Sequence, residues 1–342
     1  MRFGLFGGAT STGDRGTSDS HPYHEFIDYV CEAEQLGYHS VFLVEHHFTG
    51  LSQVSSSLCL LTYLAAKTKR MRLGTAVVVL PWHNPVLLAE QVATLDLLSN
   101  GRFDFGIGRG YRHNEFQGFC IPTDEAAERY DEALEILLKA WTSTNRFSHH
   151  GKRWNFEDIM VEPPTTQKPH PPLWIGAGSP QSIQKAGEQG FNLLLDQFGS
   201  VEVTGERIAT YRSAAESQGR TFDPGCVGLT RALHIAMNQR ERNEAYELRA
   251  KFLLQVNALA NDPKKKSSVA VPSSFADTRY ATEQAALIGS PEEIIERLKK
   301  LQAVGVEYVL LVDVGCSRAT LRTFAREVMP AFAETPATAV SK

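Results

Sequence analysis

Hydrophobic positions along this chain alternate between short continuous runs and stretches in which they recur every three or four residues. The clearest run is 71–80, where Leu73, Ala76, Val77, Val78, Val79 and Leu80 make one buried strand and Pro81 ends it. Pro85 then pre-sets a first helical turn, and Val86, Leu87, Ala89, Val92, Ala93, Leu95 and Leu98 recur at helical spacing. Asn100 and Gly101 tolerate the left-handed conformation that closes a helix. Phe103, Phe105 and Ile107 open the next strand, which runs into Gly108-Arg109-Gly110. Strand, helix and strand joined by short turns are a right-handed unit of parallel sheet. Loops after the C-terminal ends of such strands are where α/β proteins keep their chemistry. Arg109, between two glycines at such an end, is therefore the first functional candidate.

The same rhythm spans the chain. Strands are predicted at 2–6, 40–44, 173–177, 191–195, 227–237 and 306–312, in addition to the two already described. Helices are predicted at 21–36, 55–67, 124–142, 180–189, 202–218, 241–257 and 318–332. In the helix 124–142, Ala127, Tyr130, Leu134, Leu137 and Leu138 share one face. Another helix starts at Ser290-Pro291-Glu292-Glu293, a capping-box pattern. Residues 7–20 read as a long loop, 111–123 as irregular, and 149–172 as a turn-rich excursion holding a short hairpin. Residues 261–287, rich in Pro, Ser and Lys, read as a mobile lid on the active-site rim. Eight strands alternating with helices predict an α/β fold, a (β/α)8 TIM barrel. Its insertions lie in the loops after strands 4 and 7 and in the region before strand 5. We expect a single domain over 1–334 and a C-terminal tail at 335–342.

Composition narrows the function classes. With 342 residues, 42% hydrophobic and 22% charged, the chain is an ordinary globular protein. A formal net charge of -4 argues against a nucleic-acid surface, and the basic cluster Lys264-Lys265-Lys266 reads as a solvated loop. The N-terminal stretch MRFGLFGG looks like a strand rather than a secretory segment, and no apolar run approaches about 18 residues. The five cysteines lack metal-ligand or CxxC spacing. A cytoplasmic protein with reduced thiols is the expectation.

Two stretches carry candidate chemistry. Glu45-His46-His47-Phe48 leaves the second strand, and adjacent side chains there point in opposite directions, so both histidines should not face the barrel mouth. One histidine as acid/base beside a structural neighbour, and two satisfied loop histidines, both remain open at this level. A metal site would need further ligands at other strand ends, and those ends read Gly-Arg-Gly and Gly-Ala-Gly-Ser. Ile175-Gly176-Ala177-Gly178-Ser179-Pro180 is a strand, a glycine turn and a helix start, a geometry that presents backbone N–H groups to phosphate, with Ser179 and Ser182 as added donors. Gly176-x-Gly178 followed by Asp196 imitates a dinucleotide fingerprint, but Gln181 stands at the third glycine position.

Together, the Glu45-His46-His47-Phe48 stretch, residues 73–81 with 101–110, and residues 175–179 resemble the bacterial luciferase-like flavin-dependent monooxygenases. The resemblance runs from the first strand to Ile288-Gly289-Ser290-Pro291-Glu292-Glu293. It implies a barrel using reduced FMN and O2, by way of a peroxyflavin, to oxygenate a small organic substrate such as an aldehyde. No second nucleotide fingerprint is evident, so a separate flavin reductase would supply the reduced FMN. By position, the resemblance makes His46 catalytic. It assigns cofactor binding to Ala76, Val77, Arg109, Arg129, Gly178, Ser179 and Ser182, with an unusual cis peptide at Ala76-Val77. Phe6 and Phe48 would wall the substrate space. Two departures count against light emission and long aldehydes: luciferases proper carry cysteine where this chain has Gly108, and glutamate where it has Gly178.

Three other readings compete. They are hydride transfer from a reduced deazaflavin on the same barrel, a non-catalytic flavin-binding subunit, and a metal hydrolase. Small residues and leucines in the helix beginning near Ser55 also lead us to expect a homodimer.

Overall fold

The computed structural model describes residues 1–10, 20–260, 278–313 and 317–333. The first half of the chain supplies β1 (Arg2–Gly7), α1 (His21–Gln35), β2 (Ser40–Leu43), α2 (Ser57–Lys67), β3 (Arg72–Thr75), β4 (Val78–Val79), α3 (Pro85–Leu98) and β5 (Phe103–Gly108). Then come α4 (His113–Gly118), α5 (Ala126–Thr142) and a hairpin of β6 (Phe147–His150) and β7 (Asn155–Ile159). The second half adds β8 (Leu173–Gly176), α6 (Pro180–Gln189), β9 (Asn192–Leu195), α7 (Val201–Ser217), β10 (Val227–Ile235) and α8 (Gln239–Ala260). It ends with α9 (Thr278–Glu283), β11 (Leu287–Gly289), α10 (Pro291–Ala303), β12 (Tyr308–Asp313) and α11 (Arg318–Thr323).

All barrel pairings are parallel, in the order β1-β2-β3-β5-β8-β9-β10-β12, and β12 returns to β1 with Arg2 opposite Tyr308. With β3 and β4 as one interrupted strand, this is the closed eight-stranded barrel the alternating pattern predicts. Strand alternation divides the core. Phe42, Trp174, Leu194, Tyr308 and Leu310 fill the interior, with Phe6, Ala76 and Val77 packed against them. Val41, Leu43, Phe103, Phe105, Leu193, Val309 and Leu311 belong to the outer core under the helices. Burial on both faces is why the strands read as unbroken apolar runs.

Five expectations are corrected. The run 71–80 is not one strand. Thr75 Oγ1 donates to the Gly106 carbonyl at 2.7 Å and accepts from its N–H at 2.9 Å. The chain passes through a cis Ala76-Val77 peptide, and Val78 resumes pairing opposite Ile107. Residues 111–123 are not wholly irregular, because α4 lies within them; six residues are too few to show a periodic face. Of the segment 261–287, residues 261–277 lie outside the described residues. The remainder is ordered: Ala281 packs with Leu253 and Phe198, and Ala286 and Ile288 pack with Ala232 and Ala245. Those partners come from β10, α8 and the loop after β9, so local composition could not reveal them. Finally, Ala127 is exposed, and the last helix gives way after Thr323 to a π turn and a 3₁₀ turn around Pro330, which has no N–H to donate. The tail at 335–342 is outside the described residues.

Candidate active site

The loop after β2 is held from two sides. Glu45 is 3% exposed, and its Oε1 accepts from His47 Nε2 at 2.9 Å, His83 Nε2 at 2.9 Å and Trp82 Nε1 at 2.8 Å. Its Oε2 faces the Val79 N–H at 3.4 Å. Burial would raise this carboxyl, but the bonds from His47, His83 and Trp82 outweigh it and hold Glu45 down at about 2. Glu45 thus pins the end of β2 to the turn after β4.

His46 takes a different partner from His47, as alternation requires. Its Nδ1 lies 3.1 Å from Oε1 of the buried Glu115 on α4, and the same oxygen accepts the His47 backbone N–H at 3.0 Å. Asn114 on α4 donates to the carbonyls of His47 and Phe48. Burial pushes the His46 imidazolium below its ordinary value; the Glu115 bond opposes this, and the charge of Arg112 adds to it. A neutral ring facing a carboxylate donates from Nδ1, which leaves the Nε2 lone pair to act as a base. Arg112 is 2% exposed, its Nη1 is 3.9 Å from Glu115, and its Nε and Nη1 make no hydrogen bond.

Beside this pair, Val77 forms a floor between two strand ends. A Cβ on Gly108 would sit 2.4 Å from Val77 Cγ2, and one on Gly176 would meet Val77 Cγ1 at 3.5 Å. The Gly108 that departs from luciferases proper is therefore required by the packing of Val77. Gly110 has φ +76°, and a Cβ there would also press on Val79 and Phe116, so the turn carrying Arg109 needs glycine on its far side.

The anion-binding candidates lie across two loops. Arg109 is exposed, with no ion-pair or hydrogen-bond partner among the described residues, and its charge reaches Tyr130 on α5. Ser179 caps α6, accepting from the Ser182 N–H at 3.3 Å, and the two hydroxyls are 2.9 Å apart. Gly178 opens toward Asp196 and Arg207. Arg129 is already engaged: its Nε is 2.9 Å from Glu125 Oε2, an oxygen that Arg153 also approaches at 3.2 Å. Phe6 packs on the inner floor with Ala76 and Val77, whereas Phe48 is 58% exposed and leans on Phe119 at 5.0 Å. The two aromatic residues therefore occupy different environments. Among the described residues, no three His, Cys, Asp or Glu side chains gather as a metal set.

Glu115 and Arg112 were missed from sequence. Their Arg-x-x-Glu spacing is one helical turn, but it straddles the start of a six-residue helix inside a stretch without periodicity.

A parallel barrel with a buried His–Glu pair at one strand end and a glycine-flanked floor and free arginine at others is the framework of a (β/α)8 enzyme. The family model described as luciferase-like monooxygenase matches residues 1–308, and the chain belongs to that family of flavin-dependent oxidoreductases. It is similar to the oxygenase component of the flavin-dependent trigonelline monooxygenase of Acinetobacter baylyi, with 29% identity covering 98% of this chain and 96% of that one. It is also similar to the FMNH2-dependent dimethylsulfone monooxygenase of Pseudomonas putida, with 28% identity covering 83% and 82%. The crystal structure of the monooxygenase RslO1 from Streptomyces bottropensis superposes with a TM-score of 0.82 at 25% identity, covering 97% of this chain and all of that one. F420-dependent enzymes share the barrel at lower identity, a likeness of fold alone.

Proposed function

We propose that this protein is the oxygenase of a two-component system. It takes reduced FMN from a separate NAD(P)H:flavin reductase and uses O2 to oxygenate a small organic molecule, with aldehydes among the candidates. The observation that carries this reading is the neutral His46, held by Glu115, at the strand end next to the Val77 floor, where Gly108 leaves no room for a side chain. That cradle suits a flat ring. The free Arg109, the Gly178–Ser179 amides at the start of α6 and the Ser182 hydroxyl suit its phosphate. Arg129 adds positive charge from α5 while paired with Glu125. When bound, the reduced flavin supplies the electrons that activate O2. The chain's own part is to orient the ring on Ala76-Val77, hold the phosphate, and move a proton at His46 Nε2. Phe6 bounds the substrate space from the end of β1, and Phe48 bounds it from the rim.

The test is oxygen uptake by the purified full chain given chemically reduced FMN, with label from isotopic O2 traced into product. No uptake, together with turnover on a reduced deazaflavin, would replace this reading with hydride transfer. Binding without either reaction would make the chain a flavin-binding subunit.

The phosphate assignment has its own test. A charge-assisted bond contributes about 1.5–3 kcal/mol, so Arg109→Ala should weaken FMN roughly tenfold or more in a fluorescence titration. Riboflavin affinity should barely change. Equal losses for both flavins would remove Arg109 from the phosphate.

The assembly we propose is a homodimer through α2 and α3. Tyr63, Leu87, Leu97 and Leu98 are 44%, 53%, 41% and 56% exposed on these adjacent helices, an apolar group that a partner copy would cover. Light scattering at micromolar concentration should give twice the chain mass, and Leu98→Glu should lower it. A monomeric mass for the unmodified protein would end this proposal.

A further inference from the structure

Neither local structure nor stability explains why residue 112 is an arginine. Arg112 is the N-cap residue of α4, where its side chain makes no cap and its carbonyl accepts the Glu115 and Phe116 N–H groups at 3.2 and 3.3 Å. A short acceptor side chain suits that place better, and a cation beside the first turn opposes the helix dipole. Arg112 is also 2% exposed. Burying a guanidinium is costly unless its donors are bonded. Its Nε and Nη1 are buried without a hydrogen-bond partner among the described residues, and its guanidinium stands 5.9 Å from the centre of the Tyr111 ring. Its ion pair is with Glu115, Nη1 lying 3.9 Å from Oε1, too far for a hydrogen bond.

What the position provides is a charge held at a fixed distance from His46. Glu115 Oε1 already accepts the His47 N–H at 3.0 Å and faces His46 Nδ1 at 3.1 Å. An arginine closing on that oxygen would compete with the imidazole for it. Held off at 3.9 Å, Arg112 adds its charge and leaves the His46 contact intact. The sign of that charge matters. Glu115 favours an imidazolium at His46, through both its bond and its charge, and Glu45 on the same loop pulls the same way. Glu45 is itself committed to His47, His83 and Trp82. An imidazolium carries a proton on Nε2 and cannot act as a base there. Arg112 is the cation that opposes both carboxylates.

We propose that Arg112 is a positioning residue for the reaction, its unbonded charge keeping the Glu115–His46 pair in the form in which Nε2 of His46 is free. The inference rests on the monooxygenase reading for the use made of that base. Arg112 acts through Glu115 and His46, by charge rather than by contact with the imidazole.

The test reads the free protein, with neither flavin nor oxygen, so it stands apart from whether the chain is an oxygenase. The full chain is labelled with carbon-13 at histidine Cε1, and the His46 resonance is assigned by its absence from His46→Gln. Followed by NMR across pH 4–8, His46 should titrate below 6.5 in the unmodified protein. In Arg112→Met it should titrate about one to two units higher, the scale for losing a unit charge several ångströms away in a partly desolvated site. The acid limb of the rate profile should move up in pH with it. Arg112→Lys, which returns the charge without the guanidinium, should restore the unmodified titration. If Arg112→Met does not fold, Arg112→Gln takes its place as the uncharged variant. A His46 titration that does not move in the uncharged variant, or that moves and is not restored by lysine, overturns the proposal. So does weakened FMN binding with an unmoved titration, because Arg112 would then be a ligand-binding group.

Discussion

Replacing His46 with alanine should lower turnover at least about 10²-fold while the barrel and most of the flavin affinity persist. The imidazole is not part of the structural bracing, since its single described partner is Glu115, through Nδ1. Removing it leaves the Glu45 cluster intact and Glu115 still bonded to the His47 N–H. The pH profile carries the sign. A base acts in its neutral form, and burial displaces His46 below the ordinary histidine value of 6.5. Activity should therefore be flat near neutrality and fall on an acid limb centred below pH 6.5. Steady-state rates of the two proteins across pH 5–8 check both statements. Should His47→Ala lose turnover while His46→Ala retains it, the catalytic role belongs to the other histidine.

Glu45→Gln should destabilise the fold by about 3 kcal/mol at neutral pH, the linkage of a carboxyl held at about 2 against 4.5 in the unfolded chain. The amide keeps one acceptor oxygen but turns an N–H toward the Val79 N–H or toward the His47, His83 and Trp82 donors. Because the folded value is depressed, the charge stabilises fully above about pH 4.5, and the contribution fades as pH falls toward 2. Denaturant unfolding of the two proteins should therefore differ most near pH 7 and converge in acid. A gap that stays constant with pH would mean that the loss reflects packing rather than charge.

The parts of the molecule were not equally visible in the sequence. The barrel was legible because each strand is a local apolar run and each helix a local period. Arg109 was legible because it stands between glycines at a strand end, and Ser179 because a cap residue before Pro180 marks a helix start. The cis Ala76-Val77 peptide was expected from family resemblance and is present, although the apolar run itself gave no hint of a break. Glu115 was hidden in a helix too short for periodicity. The helix α9 and strand β11 were hidden by polar neighbours, because Ala281, Ala286 and Ile288 become a core only against Phe198, Leu253, Ala232 and Ala245.

The sequence by itself determined the alternation of eight apolar strands with the main helices and the strand ends that bear polar residues, since these follow from hydrophobic spacing over a dozen residues at a time. Tertiary structure alone decided which charges meet. His46 finds Glu115 across 69 positions of chain, and Glu45 gathers His83 and Trp82 from beyond another strand and helix. Each pairing depends on barrel register and on how far burial strips water from the partners, and neither quantity is a property of any short stretch of sequence.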